Sequence, residues 1–168
     1  MALPPLLRPK PRDWSAARRY PRLRFSRAKL GCCLEVLDAQ PGPQPPAGEL
    51  SLVFLTDDAL AQLHADFLDD RSKTDVITFP GAEAENFAGE ICVSVDRAIA
   101  EAKKRARPLT VELTLYLVHG WLHLAGLDDL TAKGRREMRQ GERRLLNAIT
   151  EARAWPDFQV HSRVRRRV

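Results

Sequence analysis

Leu115-Tyr116-Leu117-Val118-His119-Gly120-Trp121-Leu122-His123-Leu124-Ala125-Gly126-Leu127-Asp128-Asp129 is the stretch around which the rest of the chain arranges itself. Residues four apart on a helix lie one above the other on the same face, because the repeat is 3.6 residues per turn. The imidazoles of His119 and His123 therefore meet and can share one metal ion. Gly126 follows His123 by three residues, where a glycine of positive φ stops a helix and turns the chain back. Asp129 then arrives three residues later as a third donor. Two nitrogens and one oxygen leave coordination positions open for water and substrate, the pattern of a catalytic rather than a closed structural zinc site. The same histidine pair on an apolar helix also arises without a metal, and the glycine and carboxylate in register favour the metal.

Zinc peptidases with two histidines on a helix place a glutamate directly after the first, as general base. Gly120 stands there instead. A metallopeptidase would lack its base, and is the weaker reading.

Outward from this segment, the 168 residues, 44% of them hydrophobic, suit one domain with a real core. The net charge of +5 is unevenly placed: residues 1–30 carry nine Lys and Arg against one acid, and residues 161–168 carry four Arg and no acid. The intervening residues hold 14 basic and 21 acidic side chains. The basic ends suit a polyanion such as RNA or a ribosome, or are plain solvated tails. Cys32, Cys33 and Cys92 are an odd number with no Cys-x-x-Cys pair, which supports neither a disulfide framework nor a cysteine zinc site. They read as small buried hydrophobes in a reducing, cytoplasmic setting. No apolar run is long enough to cross a bilayer, and no signal peptide is expected.

Taken in order, the prolines at 4, 5, 9, 11 and 21 make residues 1–21 an irregular basic arm. A short edge strand is expected at 22–25. Ser26 caps a helix with Leu30, Cys33, Leu34 and Leu37 on its buried face, ending near Asp38. Residues 50–55 read as a strand, and Thr56 caps a helix with Leu60, Leu63 and Phe67 inside. Strands follow at 75–79 and 90–95, separated by an exposed connection. Asp96 is expected to cap the next helix, whose cations Lys103, Lys104, Arg105 and Arg107 suit its C-terminal end. Pro108 breaks it, and Thr110 is expected to cap the histidine helix, which is buried nearly all round. Thr131 starts the last helix, with Met138, Leu145 and Ile149 inward. Glu137 and Glu142 read as surface ion-pair partners, with orientation of a metal-bound histidine as the alternative. His64 and His161 have no partner motif and read as non-ligands. The sum is one layered α/β (α+β) domain at 22–157, with a small sheet of about four strands packed by helices, and a basic tail at 158–168.

Three ordered stretches resemble the YbeY family of bacterial metal-dependent endoribonucleases. His119 to Asp129 resembles its His-Gly-x-Leu-His-Leu-x-Gly-x-Asp-His signature. Thr74-Asp75-Val76-Ile77-Thr78-Phe79-Pro80 resembles Thr-Asp-Val-Leu-Ser-Phe-Pro, and Gly89-Glu90-Ile91-Cys92-Val93-Ser94 resembles Gly-Asp-Ile-x-Ile-Ser. The resemblance covers roughly residues 22–150. Asp129 falls on the family's third metal-binding histidine, and Leu68 falls on its arginine six residues before the motif threonine. The carboxylate remains an accepted zinc ligand, though its charge makes a bound water less acidic. The leucine cannot grip a phosphate as an arginine does. Arg71 and Lys73 could supply that charge as catalytic and substrate-binding cations, or are ordinary loop cations.

The resemblance implies a zinc-dependent endoribonuclease with one Zn per chain on His119, His123 and Asp129. It further implies single-stranded ribosomal RNA as substrate, maturation of the small ribosomal subunit and ribosome quality control. A ribosome- or RNA-binding module with a structural metal is the rival of a different class.

Overall fold

The computed structural model describes residues 12–68 and 74–162. Arg71 and Lys73, residues 1–11 and the arginines of 163–168 lie outside the described residues, and with them the expectations placed on those side chains.

A four-stranded mixed sheet carries the domain. Its strands are β1 (Trp14–Arg18), β3 (Glu49–Leu55), β4 (Val76–Ala82) and β5 (Phe87–Ser94), in the order β1-β3-β5-β4. β1, β3 and β5 run parallel, and β4 returns antiparallel along β5 as the partner in a hairpin. A 3-10 turn at Glu83–Glu85 closes that hairpin, with Asn86 in the left-handed region at φ 53°. β4 and β5 therefore extend into the stretch expected to be an exposed connection.

Among the described residues five α-helices cover the sheet: α1 (Arg27–Asp38), α2 (Asp57–Leu68), α3 (Val95–Lys104), α4 (Leu109–Leu124) and α5 (Ala132–Glu151). Alternation along β3 sorts them into two layers. Leu50, Leu52 and Phe54 point into the main core with Leu30, Leu34, Leu117, Trp121, Met138 and Leu145. On the opposite face Val53 and Leu55 pack with Leu60, Leu63, Ile77, Phe79 and Cys92 beneath α2. Phe67, expected on the inner stripe of α2, is 66% exposed, and its ring meets that of Phe79 edge to face at 5.3 Å between ring centres.

Both ends of the domain depart from expectation. The basic arm of residues 1–21 contains a full strand, since Trp14 to Arg18 pair in parallel with Leu50 to Phe54. The tail expected from residue 158 begins inside the fold. Phe158 is buried, and its ring lies 5.4 Å from both Phe25 and Phe54. β6 (Gln159–Val160) then pairs antiparallel with β2 (Leu23–Arg24), the short strand expected at 22–25, in a separate two-stranded sheet.

Two caps are also displaced. Ser94, not Asp96, caps α3 by accepting from the Arg97 N–H. Asp96 instead accepts from the Tyr20 hydroxyl and the Asp57 N–H, tying the first strands to α2. Pro108 occupies the N-cap of α4, where its missing N–H costs nothing. Thr110 donates to the Pro156 carbonyl at 2.6 Å and accepts from the Phe158 N–H, so it anchors the C-terminal segment. Ser26, Thr56 and Thr131 cap their helices as expected.

Candidate metal centre

α4 is the central helix, packed against β4, β5, α3 and α5. Its buried side chains fix its rotation, and that rotation points His119 and His123 away from the sheet. The two rings meet edge to face with centroids 4.5 Å apart, and their Nε2 atoms stand 2.9 Å from each other.

What holds the rings there is on the other nitrogens. His123 Nδ1 lies 3.0 Å from the Leu127 carbonyl oxygen, which can only accept, so Nδ1 carries the hydrogen. His119 Nδ1 lies 2.7 Å from Glu142 Oε1 on α5, and a carboxylate likewise asks it for a proton. With both Nδ1 protonated, neutral imidazoles have bare lone pairs at both Nε2. Two such lone pairs facing at this distance repel unless a proton or a cation joins them. The donor set therefore fits a metal ion, and the Nδ1 partners fix how both rings are turned.

The turn after the helix completes the set. Gly126 adopts φ +97°, its N–H reaches the His123 carbonyl and the Leu127 N–H reaches the Leu122 carbonyl, a paired closure of the helix end that requires the left-handed residue. This closure presents the Leu127 carbonyl to His123. Asp128 spends its carboxylate on the Leu130 N–H at 3.1 Å, and Asp129 turns inward, with its two oxygens 3.8 Å from His119 Nε2 and 3.9 Å from His123 Nε2. One donor atom from each of His119, His123 and Asp129 lies within 4.8 Å of the others. Neither His64 nor His161 joins such a group among the described residues.

Electrostatics around His119 oppose one another. Burial penalises its charged form, while the Glu142 carboxylate at hydrogen-bond distance, with Asp75 and Asp129 nearby, favours it; the acids prevail and the pKa lies above the usual histidine value. A metal held by His119 would take the place of the proton these acids favour. Glu142 thus takes the alternative of its two expected roles, whereas Glu137 pairs with Lys133 at 3.7 Å.

Replacing Glu142 with glutamine is expected to weaken metal binding about 10- to 100-fold while leaving the fold intact, the usual cost of losing a carboxylate behind a metal-bound histidine. Titration of the metal-free protein against a competing chelator checks this, and equal affinities would mean that Glu142 does not set the ring.

A cleft of about 580 Å³ opens beside His119, lined by residues of α3, α4 and α5 and by Thr74 and Asp75. The cysteines take no part. Cys33 and Cys92 are buried, which pushes both thiols up to about 12, and Cys32 is exposed, contrary to the expectation that all three are buried. No helix among the described residues is long and apolar enough to cross a membrane.

Comparison with known proteins agrees with this geometry. The family model described as Endoribonuclease YbeY matches residues 27–150. The chain is 34% identical over 104 residues to Endoribonuclease YbeY of Porphyromonas gingivalis, covering 62% of this chain and 69% of that one. It is 35% identical over 131 residues to Endoribonuclease YbeY of Chlamydia abortus, covering 73% and 79%. The solution structure of TM1509 from Thermotoga maritima shares the fold with a TM-score of 0.54 and 26% identity, over 76% of this chain and 83% of that one. With its histidine pair on the central helix of that fold and its capping glycine and carboxylate in the turn that follows, the chain belongs to the YbeY family of endoribonucleases.

Proposed function

We propose that the protein is a zinc-dependent endoribonuclease that cuts single-stranded RNA during ribosomal RNA maturation, with His119, His123 and Asp129 as the metal ligands. The observation that carries the reading is the convergence of two Nε2 atoms whose Nδ1 partners are already engaged. When bound, the ion supplies Lewis-acid polarisation of a phosphodiester oxygen and acidification of a water. The chain's own residues hold the rings through Glu142 and the Leu127 carbonyl, and Asp129 brings a negative charge that tempers that acidity. Arg71 and Lys73 are proposed to bring positive charge to the scissile phosphate. Single-stranded RNA suits a concave site because it can bend its backbone into it. The relatives' name gives endoribonuclease activity; the ribosome as partner and the cytoplasm as location extend it.

Two rivals are weaker. A peptidase needs a glutamate where Gly120 sits, and a Cβ built there would lie 2.5 Å from Ile91 Cγ2, against the sheet. A binding module with a structural metal wants a fourth protein ligand, and among the described residues three donors converge.

Metal content and cleavage of a single-stranded RNA, compared between wild type and Asp129→Asn, test the proposal. The wild type is expected to hold about one zinc and cut, and the variant to lose more than about tenfold in metal affinity and in rate. Asp129→His should retain the metal. A wild type that binds zinc but leaves both free and ribosome-bound RNA intact would favour the binding module.

A further inference from the structure

The cleft beside His119 has a wall that the metal chemistry does not use. Arg97, Glu101, Lys104 and Arg105 occupy one face of α3, at the spacing of successive helical turns, and all four line the cleft. Its floor is α4, from Glu112 through Tyr116 to His119. Glu112 is 0% exposed, an unusual place for a carboxylate. Its Oε1 takes the Arg105 guanidinium at 3.4 Å and that of Arg107 at 2.6 Å, and its buried Oε2 has no partner among the described residues.

A buried charge is weak evidence for stability, since an apolar residue of similar size often does as well. Here it holds two cations against one anion; with Lys104, and with Arg97 paired at 3.7 Å with Asp57, the face sets four cations against the carboxylates of Asp57, Glu101 and Glu112, while Asp75 and Glu142 stand elsewhere on the cleft wall. Glu101 adds a second hold on Arg105 at 3.2 Å and a loose one on Lys104 at 3.9 Å. Arg105 and Lys104 stay 48% and 76% exposed, so each keeps donors facing solvent. Exposed pairs of this kind are cheap to exchange for a stronger anion. A phosphate is such an anion, and guanidinium matches it with two parallel hydrogen bonds. Seven residues of helix separate Glu112 from His119, about 10 Å at 1.5 Å per residue, too far for the scissile phosphate itself.

We propose that Arg97, Lys104 and Arg105 form a subsite on α3 that grips a backbone phosphate flanking the scissile one, supplying the strand-holding charge that Leu68 does not provide. The inference rests on the RNA reading above and adds to it where the strand runs: from the metal along α4 toward the α3–α4 turn. Glu112 is a positioning residue in this arrangement, fixing Arg105 and Arg107 without touching RNA.

The test uses the zinc-loaded full chain and a labelled single-stranded RNA, with affinity measured across a salt series. For single strands the slope of log affinity against log salt falls by about 0.7 for each phosphate that the protein no longer neutralises. Arg105→Gln is expected to lower the slope by about that amount and to weaken binding about ten- to a hundredfold, the usual worth of one charged hydrogen bond to phosphate. The effect should appear in KM rather than kcat, because a flanking phosphate is held equally in ground and transition states. Metal content should be unchanged, and the advantage in kcat/KM of a longer RNA over a minimal one should shrink. Arg97→Gln combined with Lys104→Gln, which leaves the buried Glu112 pairs intact, should reduce the slope likewise. Unchanged slopes in both variants beside an active wild type would overturn the subsite alone. A wild type that neither binds nor cuts RNA would overturn the nuclease reading and the subsite with it.

Discussion

Replacing His123 with alanine is expected to abolish metal binding and RNA cleavage together while the domain stays folded. The alanine leaves His119 and Asp129, two donors on neighbouring segments, and two donors do not hold a zinc ion against water at ordinary concentrations. Loss of a carboxylate that merely orients a metal-bound histidine costs up to about 100-fold in affinity, so loss of the histidine itself must cost more. The structural cost is modest. His123 sits in the last turn of α4 with a quarter of its side chain exposed, and its removal leaves only the Leu127 carbonyl without its Nδ1 donor. One such hydrogen bond contributes about 1 kcal/mol, which for a domain of this size lowers Tm by about 2–4 °C. Elemental analysis, cleavage of single-stranded RNA and a thermal melt on the same preparation separate the effects. Full activity in His123→Ala would end the metal mechanism, whereas a collapsed melt would mean that the site also holds the fold.

The cluster of His119, His123 and Asp129 is legible in the sequence because its information is local. A four-residue spacing, a glycine at the helix end and a carboxylate three residues on are decided within one helix and its closing turn. The same holds for Ser26, Thr56 and Thr131, whose hydroxyls meet N–H groups three residues away. Where two capping residues compete, locality fails. Asp96 and Thr110 both yield the cap to a neighbour because each has a tertiary partner, Tyr20 with Asp57 in one case and Pro156 with Phe158 in the other. β1 was hidden for the same reason. Its residues are flanked by prolines, and its ladder is made with β3, thirty-six residues further on, through a parallel pairing that leaves no turn signature. Glu142 could be seen as a candidate but not assigned, since which face of α5 meets His119 depends on how two helices pack.

Gly120→Ala is expected to destabilise the protein by up to about 2 kcal/mol, against the sign that helix propensity alone would give. In an open helix the change gains about 1 kcal/mol. Here the added Cβ falls 2.5 Å from Ile91 Cγ2 and 3.3 Å from Thr78 Cγ2, on β5 and β4. Ile91 is 1% exposed and β-branched, so its methyl cannot swing aside without taking its backbone along. Overpacking of this kind costs about 1–3 kcal/mol, and the propensity gain offsets only part of the larger values. Urea denaturation measures the loss as a lower midpoint at unchanged slope. Ile91→Ala should relieve the clash, so the double variant should be more stable than the two single losses added together predict, by about 1 kcal/mol or more. A stabilised Gly120→Ala would mean that α4 can lift from the sheet at no cost, and the close approach would then not be what positions His119 against Glu142. A glutamate at the same position would need still more room in the same direction, away from His119 and His123 and into the sheet, so the residue that denies this helix a peptidase's base is the one that lets it lie flat against β4 and β5.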